Sequence, residues 1–173
     1  MNKTNRYLFA VPEELVFTVD GKTATPARPL TLGEAGLKER EHLQEWVIAH
    51  PAILGEDVLI VTFEFDKWTS TSGERSFDRL DVLGLDRSGR LIVAELKRDR
   101  AADTITMQAL NYAAMVSRFS LDTLVEAYAS HRRDAGLTAE QAATEVREWA
   151  PEIADDTLSP PRIVLVAADS APR

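Results

Sequence analysis

Residues 79–100 of this chain read RLDVLGLDRSGRLIVAELKRDR. Two apolar, β-branched runs flank Asp86–Gly89, a segment of typical turn residues, so the stretch predicts a β-hairpin. Three charged residues interrupt the runs where a buried strand should be apolar. They are Asp81 in the first strand and Glu95 and Lys97 in the second.

The alternation of strand side chains groups these charges. Glu95 and Lys97 are two residues apart, so they point to the same face of the sheet. A hairpin closed at Asp86–Gly89 sets Asp81 roughly opposite Glu95. The hairpin therefore predicts two carboxylates and one ammonium on one face, where buried charges must be paired or must hold a metal.

The cluster has two interpretations. Two carboxylates at oxygen-ligand distance suit Mg²⁺, which fills its remaining positions with water and phosphate oxygens. A lysine beside them can orient or deprotonate a water and offset charge on a phosphate. Charged pairs across strands are also common, so Lys97 could instead form a salt bridge with Asp81 or Glu95.

A helix is predicted downstream, from about residue 102 or 103 to Arg118. Gln108 and Tyr112 are four residues apart and share one face of this helix. If the helix packs beside the hairpin, that face meets the carboxylates. Tyr112 could equally be a core residue whose hydroxyl reaches water.

A second helix is predicted upstream of the hairpin. Residues 31–34, TLGE, have the form of a capping box, and His50-Pro51 ends the helix after about Ala49. Its helical phase places Glu39 inside the apolar stripe that contains Leu43. An acidic side chain on a buried stripe needs a partner; the alternative is that Glu39 lies at a frayed helix start.

The order and spacing of these residues resemble a known family. Asp81, thirteen residues and then Glu95-Leu96-Lys97 resemble the D…ExK signature of the PD-(D/E)xK nuclease superfamily. Residues 108–112, QALNY, match the QxxxY element of its RecB-like members. The tripeptide at 79–81 and the sequence around Glu39 resemble the NucS-like branch.

The resemblance implies a Mg²⁺- or Mn²⁺-dependent endonuclease that cleaves DNA phosphodiester bonds. The implied metal ligands are Asp81, Glu95, the main-chain carbonyl of Leu96 and Glu39. The implied catalytic residues are Asp81, Glu95, Lys97, Gln108 and Tyr112, with Lys97 activating or orienting water. Two other functions stay open: a non-catalytic nucleic-acid-binding module with this fold, and an interaction protein in which the charges form a salt-bridge network.

The net charge of −8 argues against indiscriminate nucleic-acid binding. The distribution is uneven, because residues 67–100 hold eight basic and six acidic side chains, a net +2. Arg79, Arg98 and Arg100 flank the motif and are the candidate DNA contacts. Solvated loops of mixed charge would explain the same distribution.

The predicted elements define an α/β fold with a central mixed sheet flanked by helices. Three strands form an antiparallel meander, and a last strand near Ile163–Ala168 returns through a right-handed helical crossover. The resemblance implies the αβββαβ restriction-endonuclease-like core. Residues 1–31 are predicted as a small N-terminal β extension, and residues 32–173 as the nuclease-like domain, with a solvated helical insertion at about 120–150.

The composition narrows the setting of the protein. The 173 residues include no cysteine, which excludes disulfides and thiolate metal sites. No apolar run approaches the length of a membrane span, and the N-terminus lacks an apolar signal core, so a cytoplasmic protein without a membrane partner is expected. The family resemblance leaves open a homodimer, and we expect the chain to be either a minimal domain or one followed by a further C-terminal domain.

Overall fold

The computed structural model of the chain describes residues 16–27, 32–65, 79–97 and 103–167. The chain divides into two compact units, Met1–Leu30 and Thr31–Arg173. In the first unit, β1 (Phe17–Asp20) and β2 (Thr23–Pro26) form an antiparallel hairpin. Gly21 has a φ of 57° at the first of the two loop residues, which is the left-handed conformation that such tight turns require.

The second unit contains a four-stranded mixed sheet in the order β3-β4-β5-β6. Its strands are β3 (Val58–Phe65), β4 (Leu80–Asp86), β5 (Leu91–Lys97) and β6 (Arg162–Ala167). The first three are antiparallel neighbours, and β6 is parallel to β5. The predicted meander and the parallel return of the last strand are confirmed.

The turn between β4 and β5 is held by Asp86. Its carboxylate accepts hydrogen bonds from the amides of Ser88, at 2.9 Å, and Arg90, at 3.0 Å. Gly89 has a φ of 83°, the left-handed position of a three-residue hairpin loop. These local bonds set the register of the hairpin on which the charged residues lie.

Within the described residues, four α-helices accompany the sheet. They are α1 (Glu45–Ala49), α2 (Asp103–Val116), α3 (Leu121–His131) and α4 (Ala139–Trp149). A π-helical turn (Glu39–Gln44) leads into α1, and short 3-10 turns follow α1 and α3 (Pro51–Leu54 and Arg133–Ala135). Within the described ranges, no helix combines the length and apolar character needed to cross a bilayer.

The predicted start of the first helix is wrong. Residues 32–36 form turns instead, closed by a hydrogen bond of 2.8 Å from the Leu37 amide to the Leu32 carbonyl. Gly36 takes a φ of 69°, and glycine is a poor helix former, so the apparent capping box does not begin a helix. The helical segment begins at Glu39, and its predicted end at His50-Pro51 is confirmed.

Apolar clusters cover both faces of the sheet. Alternate residues of β5 divide between them: Leu91 and Val93 pack in the cluster that includes α2, α3 and α4, whereas Ile92 and Ala94 pack in the cluster that includes α1. The helices between residues 120 and 150 were expected to be a solvated surface. They also bury Leu124, Tyr128, Ala142 and Val146, because an amphipathic helix turns one face to the core.

The hairpin loop yields a stability prediction. Gly89→Ala should destabilise the chain by about 2 kcal/mol, because a left-handed φ disfavours alanine and the new methyl collides with its neighbours. A Cβ at this position would lie 2.7 Å from Thr157 Oγ1 and 3.3 Å from Ile153 Cα. Urea unfolding measures the loss.

The matched control is Gly136→Ala, at a φ of 76° with open space around the position. It should cost only about 1 kcal/mol, for the backbone conformation alone. Equal costs for the two substitutions would show that the contact of the hairpin loop with Thr157 does not constrain it.

Candidate active site

Asp81 and Glu95 lie side by side in the sheet. The β4–β5 register ends at Val82–Ala94, one residue before Asp81 and Glu95 on their strands, and the two carboxyl groups interact with each other. Both are buried, with 9% of Asp81 and 2% of Glu95 exposed.

The regular β4–β5 pairing ends at this point. The Asp86 amide donates to the Arg90 carbonyl, so these two residues form a hydrogen-bonded pair. Hydrogen-bonded pairs recur at every second position of an antiparallel ladder, so a regular ladder would make Leu80 and Leu96 such a pair. Instead, the Leu96 amide donates to Asp81 Oδ2 at 2.9 Å. The Asp81 carboxylate therefore takes the position of a main-chain acceptor, and Leu96 contributes its amide to the site.

One oxygen of Glu95 is without such support. This atom, Oε1, is buried and has no hydrogen-bond partner among the described residues. Burial and the negative charge of Asp81 together raise the pKa of Glu95 to about 8. Burial also raises the pKa of Asp81, against the opposing effects of the Leu96 amide and Lys97. The two carboxyls therefore retain a proton at a pH where isolated carboxyls have lost it.

Lys97 and Glu39 form an ion pair beside this carboxylate pair. Lys97 Nζ lies 3.6 Å from Glu39 Oε1, and about a third of each side chain is exposed. In the described part of the chain, no ion pair joins Lys97 to Asp81 or Glu95, so the alternative of a salt bridge within the hairpin is not seen. Although it begins the helical segment, Glu39 reaches the predicted site through Lys97.

Helix α2 packs against β5 and β6. Tyr112 is 3% exposed and belongs to the apolar cluster that includes Val93, which lies on the same strand face as Glu95. Gln108 is exposed one turn earlier on the helix. The structure thus places Tyr112 in the core on the face of the carboxylates and Gln108 at the surface.

Of the three predicted DNA contacts, only Arg79 lies within the described residues. Its guanidinium is 3.5 Å from Glu64 Oε2, and 46% of its side chain is exposed. Arg98 and Arg100 lie outside the described residues. Arg79 is thus a half-exposed cation two residues from Asp81 that contacts Glu64.

The sequence did not point to Glu64. It lies in β3 between Phe63 and Phe65, which pair with Val82 and Leu80, so it is opposite Asp81. Its φ is 47°, in the left-handed region that glycine favours. The sequence of β3, VLIVTFEF, is that of an ordinary strand, and nothing in it signals this conformation.

Metal-binding chemistry at the site would rest on few side chains. In the ranges described, no group of three or more histidine, cysteine or acidic side chains is arranged to hold a metal ion. Asp81 and Glu95 offer two carboxylates, and main-chain oxygens, water or a bound phosphate would have to complete the coordination. Such a shell is usual for Mg²⁺, which binds through one or two carboxylates.

The carboxylate pair yields a pH prediction for the metal-free protein. The pKa of Glu95 is about 8 in the folded chain against an ordinary 4.5, so its contribution to stability is complete below pH 4.5 and is lost as the pH rises through about 8. The raised pKa of Asp81 acts in the same direction. We expect the free energy of unfolding in EDTA to fall over this range, by at most about 1.4 kcal/mol per pH unit for one proton.

Glu95→Gln should flatten this slope, because a neutral isostere has no proton to lose. Urea unfolding at several pH values measures it, and Glu126→Gln, at an exposed position of α3, is the control that should keep the wild-type slope. His131, whose pKa is lowered by burial, contributes the opposite slope in all three proteins and cancels in the comparison. Identical slopes for the wild type and Glu95→Gln would refute the raised pKa of Glu95.

No protein-family model, curated protein or solved structure matches the chain in comparisons with known proteins.

Proposed function

We propose that the chain is a metal-dependent, endonuclease-like hydrolase that cleaves DNA phosphodiester bonds. The observation that carries the proposal is the buried Asp81–Glu95 pair, in which Glu95 Oε1 is without a hydrogen-bond partner in the described residues. Two like charges side by side destabilise a buried site unless a proton or a cation joins them. A divalent cation would satisfy both carboxylates.

Mg²⁺ or Mn²⁺ is the cation that best suits these groups. Hard oxygen ligands favour these ions, and the site contains no thiolate or imidazole ligand among its described residues. Asp81 and Glu95 would bind the ion with the main-chain carbonyl of Leu96, and Glu39 would support the site through Lys97. When bound, the ion would polarise the scissile phosphate and lower the pKa of a water molecule.

The remaining roles belong to side chains around the pair. The Lys97 ammonium, held 3.6 Å from Glu39 Oε1, is suited to orient the attacking water and to offset negative charge on the phosphate. The Leu96 amide fixes the Asp81 carboxylate at 2.9 Å, which limits the reorganisation that the site would undergo during the reaction. Gln108 would contact a phosphate or a water, and Tyr112 would support the site from the core.

DNA is the proposed substrate because of the basic residues that flank the motif. Arg79 is exposed close to Asp81, and Arg98 and Arg100 directly follow the strand that contains Glu95 and Lys97. The net charge of −8 disfavours tight non-specific binding, so we expect the affinity for DNA to be modest and to fall steeply with salt.

The fold is compatible with the family resemblance. A three-stranded meander, a helical connection and a parallel last strand follow the order of the αβββαβ restriction-endonuclease-like core. The D…ExK and QxxxY residues occur on β4, β5 and α2, in the order that the PD-(D/E)xK family uses. We therefore propose that this core is a member of that superfamily.

The alternative is a non-catalytic nucleic-acid-binding module. It accounts for the basic residues but leaves the buried carboxylate pair without a purpose, because unpaired buried charges destabilise a fold. A purely structural salt-bridge network is less favoured still, because Lys97 pairs with Glu39 and Glu95 Oε1 has no partner among the described residues.

The test is cleavage of labelled single-stranded, duplex and forked DNA with Mg²⁺, Mn²⁺ or EDTA. We expect cleavage with either metal and none with EDTA. Asp81→Asn and Glu95→Gln should each reduce the rate by roughly 100-fold or more, because each removes a metal ligand and its charge. Glu126→Gln should keep the wild-type rate.

Binding of the same DNAs, measured by fluorescence anisotropy, distinguishes the alternatives. Metal-independent binding without cleavage of any substrate would favour the non-catalytic module. If the chain neither binds nor cleaves any of these DNAs, both nucleic-acid functions are contradicted.

A further inference from the structure

The alternation of buried side chains along β4 is broken at Asp81. Leu80 and Val82 are both fully buried and two residues apart, so a regular strand would turn them to the same face. They instead belong to different apolar clusters, Leu80 to the one with α2–α4 and Val82 to the one with α1. The buried side chains of β4 therefore change sides between Val82 and Leu80, across the residue that contributes a carboxylate to the site.

Glu64 lies opposite this break. The pairs Phe63–Val82 and Phe65–Leu80 flank it in the β3–β4 ladder, and its φ of 47° departs from the extended backbone of both strands. A left-handed residue inside a strand turns the chain away from its extended course. A residue with a Cβ adopts this conformation only where its surroundings impose it, and such residues concentrate at functional sites.

We propose that Glu64 is a positioning residue for the Asp81–Glu95 pair. Its left-handed backbone imposes the change of sides on β4, and that change ends the β4–β5 ladder at Val82–Ala94. The Leu96 amide then loses its expected main-chain acceptor and donates to Asp81 Oδ2. The inference rests on the proposed function only for the reason why the carboxylate pair would need positioning. The geometry itself involves neither metal nor DNA.

The carboxylate of Glu64 has a separate partner. It lies 3.5 Å from Arg79 NH1, two residues before Asp81. This contact anchors Arg79, but an exposed ion pair of this length contributes little to stability. We expect the backbone conformation of Glu64 to matter for Leu96, and the variants below test its charge separately.

The test compares variants that separate conformation from charge. Glu64→Gly permits the positive φ without a side chain, Glu64→Gln keeps the side-chain shape without the charge, and Glu64→Val strongly disfavours the positive φ. The readout is the Leu96 amide, by its NMR proton shift and its hydrogen-exchange rate in metal-free protein. The Ala94 amide, which remains in the regular part of the ladder, reports on general loosening.

We expect Glu64→Gly and Glu64→Gln to keep the wild-type Leu96 signals. Glu64→Val should shift the Leu96 amide resonance and accelerate its exchange by roughly tenfold or more relative to Ala94, because the bond to a carboxylate is lost. Glu64→Ala is the milder substitute if the valine variant does not fold. An unchanged Leu96 amide in both the valine and the alanine variants would overturn the proposal.

Asp57→Val is the matched control. Asp57 also has a positive φ, 50°, but it lies just before β3 and away from Asp81. The Asp57→Val variant should be less stable, but its Leu96 amide should exchange at the wild-type rate relative to the Ala94 amide. A Leu96 response equal to that of Glu64→Val would show that the effect is general and would reject a specific role for Glu64.

A Mn²⁺ titration by calorimetry separates this inference from the proposed function. If the wild type and Glu64→Gly bind Mn²⁺ and Glu64→Val does not, the positioning role extends to the metal site. If no variant binds Mn²⁺ or cleaves DNA while Leu96 still responds to Glu64→Val, the positioning role stands and the nuclease proposal fails.

Discussion

The structure depends on the free energy required to bury two carboxylates side by side. Asp81 and Glu95 lie in the central strands of a sheet that is covered on both faces, where water solvates their charge poorly. The surrounding groups compensate only in part: the Leu96 amide donates to Asp81, and Lys97 lies near enough to favour the ionised forms. The part of the burial free energy that these groups do not compensate raises the pKa of Glu95.

This arrangement requires a fixed strand register. A slip of one residue between β4 and β5 would move either Asp81 or Glu95 to the opposite face and separate the pair. The register is set at the other end of the hairpin, where the Asp86 carboxylate binds the Ser88 and Arg90 amides. The apolar residues between the turn and the site, buried on both faces, transmit that register to the carboxylates.

The charges at the site are not paired as in a simple structural salt bridge. An ion pair that stabilised the hairpin would bring Lys97 onto its carboxylates, whereas the structure pairs Lys97 with Glu39 on a neighbouring helical turn. The chain therefore retains an acidic pair that disfavours its own folding at alkaline pH. Such local conflicts with stability are expected where a ligand or substrate supplies the missing interaction.

The sequence by itself determined the strands and most of the helices, the meander with its parallel return, and the pairing of Asp81 with Glu95. These follow from local periodicity and turn chemistry, which act over a few residues. Only the tertiary structure decided that Lys97 would pair with Glu39, that Leu96 would offer its amide, and that Glu64 would take a left-handed conformation opposite Asp81. Each of these depends on contacts between segments distant in the chain and on how adjacent strands twist, and neither is encoded in the pattern of any single segment.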